Sequence, residues 1–430
     1  MISVTNFLII FPLFVASVTS IYISIGEAGS LSAEWWANIV RILGVLPGLS
    51  LLLLLFLTIY FSGAKYKITS PLLMAVSLSS IFILSIQLCA SLLGDNDFNY
   101  TIGDYYRSIL PYFALIVFNI ALSSERKIMS FASSLKVFLI YFAIIGAITK
   151  IYLVVFLGNF YGGWSNQYYI GSFLLTYLFV KYSKKISWKF VSIISLVLLS
   201  ILSLKRGIWI SIVFVFLTIL LSRNLVKKLS WIRLSIVISA TIVILSVLVP
   251  GELMDLAINS VVSRLEYTFG GNDGSVAGRL NEWYNVKEIL ENGSVENLFF
   301  GYGHGSEFFD IYKTGGMGSM DGSVHHIHST WVLLLFRNGL VGVFMYMVLF
   351  LGAVKIFVLY WNDTFKRPFI VKKEVWLLGF SASVELMVQM MNSIQGNIAY
   401  GSVYFSIFLF LAVALRRILI RELHGNLVPS

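Results

Sequence analysis

The sequence predicts an all-α polytopic membrane protein, a bundle of about twelve transmembrane helices with one large loop outside the membrane. Three observations predict it. The 430-residue chain is 58% hydrophobic and only 12% charged, with mean hydropathy +0.86, whereas a soluble domain is about half apolar and a quarter charged. Apolar runs of roughly 17–25 residues, each enough to cross a bilayer, recur from end to end. Basic residues collect in every second loop between those runs, which is how membrane orientation is set.

The spans run approximately over 4–25, 40–62, 71–93, 106–123, 130–157, 165–181, 187–203, 207–222, 231–250, 329–359, 374–395 and 402–420. The first imitates a signal peptide but lacks a basic leader, so it is read as an uncleaved span. The fourth is short and contains Pro111. Lys65 and Lys67 follow the second span, Arg126 and Lys127 the fourth, and Lys181, Lys184, Lys185 and Lys189 the sixth. Arg223, Lys227, Lys228 and Arg233 follow the eighth, and Lys366, Arg367, Lys372 and Lys373 the tenth. Arg416, Arg417 and Arg421 close the chain, while the opposite loops carry Glu27, Glu34, Asp95, Asp97 and Asp104. Both termini are therefore expected in the cytoplasm.

This divides the chain into 1–250 with nine spans, an outer loop at 251–328, and 329–430 with three spans. The net charge of +10 follows the orientation pattern, so nucleic acid is not an expected partner; the lipid bilayer is. The single Cys89 excludes an intrachain disulfide. Within the outer loop the periodicity predicts a helix near 277–291. Its broad apolar face, Leu280, Trp283, Tyr284, Ile289 and Leu290, is expected on the membrane surface or over the bundle.

Three of the five histidines, His325, His326 and His328, stand where this loop meets the tenth span. Such groups at a membrane edge are functional candidates. Three readings suit them. With Asp321 they could bind a metal, although alternating histidines without further spaced ligands are a weak signal. They could cap the following helix or face solvent. One could serve as a general base, for which His328 beside Ser329 is better placed. His304 and His424 are expected to tolerate substitution.

Lys205 and Arg206 lie on the disfavoured outer side, where an anionic ligand or snorkelling to headgroups would account for them. Arg279 opens the loop helix, a poor place for a cation in the helix dipole. It is expected to serve something beyond its helix or to be solvated. The run Gly301-Tyr302-Gly303-His304-Gly305 lacks a strand–loop–helix frame, so a tight turn suits it better than a phosphate loop. Glu282 and Glu288 show no special environment in the sequence. Lys136, Lys150 and Glu385 fall inside spans and suit an alternative of another class, a twelve-helix transporter or flippase of polysaccharide lipids.

Taken in order, several of these segments resemble motifs of the O-antigen polymerase and O-antigen ligase superfamily. The matching elements are Arg206-Gly207, Arg279 with Trp283, Phe300 to Gly305, and His326/His328 followed by Gly339-Leu340-Val341-Gly342. Ser329 departs from the asparagine common after the motif histidine. The motif-bearing region is about 200–342, and the span pattern covers the whole chain.

The resemblance implies a GT-C-like fold in the bacterial inner membrane, with the main loop in the periplasm. It implies a metal-independent, cofactor-free, inverting glycosyltransferase acting on undecaprenyl-diphosphate-linked glycans. Polymerisation of O-antigen or a similar surface polysaccharide is the preferred activity, with ligation to lipid A-core as the alternative. His328 and His326 are then the candidate base and its partner, and Arg206 and Arg279 the diphosphate clamp. Lys205, Arg264, Trp283, Tyr302 and His325 are expected substrate contacts. A chain-length regulator membrane protein is a further partner that the resemblance admits.

Overall fold

The computed structural model describes residues 4–11, 33–62, 68–94, 96–157, 168–182, 206–221, 259, 262–263, 266, 274–312, 323–324, 327, 329–364, 373–395 and 403–425. Residues 4–11 are helical. The helices that follow are α1 (Ala33–Ser62), α2 (Pro71–Leu93), α3 (Phe98–Ala121), α4 (Glu125–Leu157), α5 (Tyr168–Tyr182) and α6 (Arg206–Leu221). Next come α7 (Gly274–Asn292), α8 (Val295–Phe300), β1 (Phe308–Phe309) and β2 (Ser323–Val324), then α9 (Thr330–Asp363), α10 (Lys373–Gln395) and α11 (Val403–Gly425). The strands form one antiparallel pair, Phe308 opposite Val324. The protein is otherwise α-helical where described. The expected spans 187–203 and 231–250 lie outside the described residues.

Among the described residues, four helices are long and apolar enough to cross a membrane: Pro71–Leu93, Glu125–Ile145, Thr330–Asp363 and Val403–Arg421. Their outward faces are aliphatic and aromatic, with Leu72, Phe82, Phe344 and Leu351 exposed, as a lipid-facing surface requires. These features make it a membrane protein.

Local signals set the helix ends. Ser70 caps α2, its side chain accepting from Leu73 N, and Pro71 fills the first helical position where no amide is needed. The fourth span proves longer than its apolar run. Asp97 accepts from Tyr100 N at 2.9 Å and starts α3 eight residues earlier than 106, so Asp104 lies inside a helix rather than in a loop. Pro111 is accommodated within α3, and its carbonyl accepts from Ser406 on α11 at 2.7 Å.

The core lies between α3, α5, α10 and α11. Helix α10 is buried almost throughout and carries Ser381, Ser383, Glu385, Gln389, Asn392 and Ser393 in its interior. Small and amide side chains let helices approach and bond without water. Gly379 packs against the Tyr360 ring, whose hydroxyl donates to Ala412 O at 3.0 Å. Glu385 accepts from Phe173 N at 2.8 Å and from Gln389 Nε2 at 3.1 Å. Near the start of α10, Glu374 pairs with Lys136 and Lys181 and accepts from the Tyr177 hydroxyl. The charged residues Lys136 and Glu385 are thus engaged by neighbouring helices; the side chain of Lys150 lies outside the described set.

Candidate active site

The described part of the loop at 251–328 centres on α7. Its inward face is Glu282, Asn285 and Val286, all buried, with Ile289 half-buried, the i, i+3, i+4, i+7 stripe of a helix. Val286 packs with Phe308, Ile327, Val332, Leu333 and Phe336, and Ile289, Leu290 and Tyr302 close the cluster. Of the expected apolar face, Ile289 and Leu290 pack here, while Leu280, Trp283 and Tyr284 are exposed, and polar residues share the inward side. The reason is polar. Asn285 Oδ1 accepts from Ile311 N at 3.0 Å and Tyr312 N at 3.3 Å, and its Nδ2 donates to Asp310 Oδ1 at 2.8 Å. A buried amide that satisfies loop backbone earns its place in a core, and apolar periodicity does not register it.

The glycine run is a plug in a broken helix. At Gly339 (φ +60°, ψ −160°) α9 leaves helical geometry. Such a break strands backbone carbonyls, which lipid cannot satisfy. Tyr302 N donates to Phe336 O at 2.8 Å, Gly303 N to Arg337 O at 3.0 Å, and Gln87 Nε2 to Asn338 O at 3.2 Å. Asn338 Nδ2 returns a bond to Gln87 Oε1 at 2.8 Å. Gly301 (φ +77°) and Gly339 meet backbone to backbone. A Cβ on Gly301 would strike the Arg337 carbonyl, and one on Gly339 would strike the Phe299 carbonyl.

The remaining amides of the run are also committed. Gly301 N donates to Asn297 O at 2.8 Å, His304 N to Ser91 Oγ at 2.9 Å, and Gly305 N to Asp104 Oδ2 at 2.9 Å. All five amides are bonded within the protein, one of them to the Asp104 carboxylate, so the run is a turn and not a phosphate cradle.

Under the plug, Arg337 Nη1 contacts Asp104 Oδ1 at 2.5 Å, with the two side chains 4% and 2% exposed. Neither residue stood out in the sequence. Arg337 did carry a usable signal: it is a cation inside the apolar run Trp331 to Val348, where ionisable groups are rare and functional by default.

His304 sits beside this pair, fully buried, its ring edge-on to Tyr105 at 5.8 Å. Neither ring nitrogen has a hydrogen-bond partner among the described residues. Burial lowers its pKa to about 4; Asp104 pulls the other way and Arg337 adds to the lowering. His304 was expected to be a tolerant loop residue, and its position contradicts that.

The other predicted residues are distributed as follows. Arg279 is half-buried on α7, and Trp283 lies one turn further on, exposed. Arg206 begins α6, with its side chain outside the described set. Tyr302 stacks on Phe336 at 5.4 Å and donates its hydroxyl to Ile289 O at 2.9 Å. Its ring and its hydroxyl proton are thus both engaged within the protein. Lys205, Arg264, His325, His326 and His328 lie outside the described residues, as does the side chain of His424. Their sequence neighbours are placed, however. Ile327 is buried in the α7–α9 cluster, and Ser329 is the N-cap of α9. The structure therefore brings the helix of Arg279 against the segment that follows the histidines.

Residues 190–347 match the family described as O-antigen ligase. Over that stretch the chain is similar to this family. The match takes in α6, the whole outer loop and the first half of α9, including the broken turn at Gly339. No curated protein matches the chain.

Proposed function

We propose that the protein polymerises undecaprenyl-diphosphate-linked oligosaccharide repeats into O-antigen or a similar surface polysaccharide at the periplasmic face of the inner membrane. The observation that carries this reading is the packing of the Arg279 helix onto the start of α9, directly after the histidine run, within the family-matched region. In this reading both termini are cytoplasmic and the spans number about twelve.

The chemistry needs a hydroxyl deprotonated and a diphosphate released. His328 takes the proton of the acceptor hydroxyl as that oxygen attacks the anomeric carbon, inverting it. His326 positions the acceptor. The lipid diphosphate leaves against Arg206 and Arg279, whose planar donor forks match phosphate oxygens and balance the developing charge. Lys205 and Arg264 add positive charge near the donor, and Trp283 and His325 contact sugar. No metal or cofactor has a step to perform, because the diphosphate ester is already activated.

The family description favours one alternative, ligation of the finished polysaccharide to lipid A-core. Deletion of the gene separates the two on a lipopolysaccharide gel. Lipid A-core bearing one repeat supports the polymerase, and lipid A-core bearing none supports the ligase. Loss of neither polymer nor ligated product would remove both readings, and ladders formed by purified protein without an ion gradient would exclude the transporter class.

A further inference from the structure

We infer that the Asp104–Arg337 pair is a positioning device. It fixes the outer unit, α7 with the first segment of α9, against the ends of α2 and α3, and so sets where the histidine-bearing segment stands over the membrane. This deepens the proposed function and rests on it for the catalytic part only.

The argument is mechanical. The first segment of α9, residues 330–338, ends at the Gly339 break and is continuous with α7 through Val286, Val332, Leu333 and Phe336. A helix broken at glycine is a hinge unless something over-determines it. Among the described residues, side chains of α2, α3 and their connection reach across to the turn and the broken helix, Ser91, Asn96 and Thr101 bonding the turn backbone. Asp104 holds two groups at once: Oδ1 on Arg337 at 2.5 Å and Oδ2 on Gly305 N at 2.9 Å. Gln87 holds two more, Phe300 O at 3.3 Å and Asn338 O at 3.2 Å. One carboxylate therefore ties both halves of the plug, the arginine of the broken helix and the glycine turn, to a single turn of α3.

A histidine general base acts only if it meets the acceptor hydroxyl within hydrogen-bond reach, and misplacement of about 1 Å can cost on the order of 10²-fold in rate. Ile327 and Ser329, on either side of His328 in sequence, belong to the unit that the pair immobilises. Arg337 does not touch substrate in this account; it acts through the segment that precedes it.

The test has two arms. In the first, the double variant Asp104→Asn/Arg337→Gln removes both charges, keeping the shape at 104 and leaving a shorter polar side chain at 337, so no charge is left buried alone. Its turnover of lipid-linked repeat, per folded molecule, should fall about 10²-fold with little change in acceptor KM. Arg337→Lys, which keeps the charge, should recover a measurable part.

The second arm is independent of activity. Cys89 on α2 is the chain's single cysteine and is exposed; Leu280 on α7 is also exposed. Spin labels at Cys89 and Leu280→Cys should give one narrow distance in the parent protein and a broadened distribution in the double variant.

A narrow distribution in the double variant overturns the lock, whatever the turnover does. A broad distribution with unchanged kcat overturns its role in positioning. If the parent protein forms no polymer, the proposed activity fails while the distance arm still decides the lock.

Discussion

Both ends of α9 are held by an arginine–aspartate pair, and the pairs differ in what surrounds them. Near the start, Arg337 and Asp104 are 4% and 2% exposed, and Asp104 also accepts a backbone amide of the glycine turn. At the far end, roughly 40 Å away along the helix, Arg416 of α11 meets Asp363 with the arginine 15% exposed and its guanidinium 5.4 Å from the Tyr360 ring centre. Nearby, Glu374 and its two lysines are 21–40% exposed. A charge pair woven into backbone has no water to fall back on, whereas a half-wet cluster can re-pair. The first holds a shape; the second closes the ends of helices.

The largest expected contrast is in chemistry. His328→Ala should lower turnover by about 10²–10⁴-fold with folding intact, because a base acts on the acceptor proton in the transition state. Neutralising the other end with Asp363→Asn/Arg416→Gln should leave turnover per folded molecule unchanged. Polymer assays on purified protein compare them. Wild-type turnover in His328→Ala would place the chemistry elsewhere.

In stability, Arg337→Met strands a buried carboxylate and should cost about 3–5 kcal/mol. Thermal unfolding in detergent measures this. Asp104→Asn/Arg337→Gln should recover most of the loss; if it does not, the pair matters for more than its charge.

His304 sharpens the same comparison through pH. Its folded pKa of about 4 lies below the ordinary 6.5, so the unfolded chain takes up the proton first. The stability at stake is present above pH 6.5 and is lost as pH falls toward 4, amounting to roughly 3 kcal/mol at about 1.4 kcal/mol for each pH unit. His304→Phe should flatten the melting temperature between those limits. An unchanged slope would mean that His304 is solvated.

The smallest effect belongs to the wet cluster. Glu374→Gln should change stability by no more than about 1 kcal/mol. A loss as large as that of Arg337→Met would erase the distinction drawn between the two ends.

Much of the bundle was legible from the sequence. The expected third span, 71–93, is α2 residue for residue, and the loop helix near 277–291 is α7 at 274–292. Runs of this length have few other solutions in lipid. The break at Gly339 was not legible, because a glycine inside an apolar run reads as a tolerated helix residue until its neighbour is known. That neighbour, the turn at Gly301 to Gly305, is distant in the chain. Asp104 was read as a loop acid because it precedes the apolar run, and the cap at Asp97 that carries it into α3 is a side-chain detail. The polar face of α7 was hidden for a related reason: Asn285 is buried by the backbone it bonds. Long-range polar pairing leaves no period in a sequence.

The plug also has a history in time. Gln87 and Asn338 lie 251 residues apart. At about 5–20 residues per second, the ribosome takes roughly 10–50 s to supply the second after the first. Through that interval Gln87, Ser91 and Asp104 wait at the ends of α2 and α3 without the groups that complete them. The carboxylate of Asp104 can remain charged only where water still reaches it. Closure of the turn over Arg337 is therefore a late event of assembly, when the α2–α3 end gives up its water and the chain becomes one body.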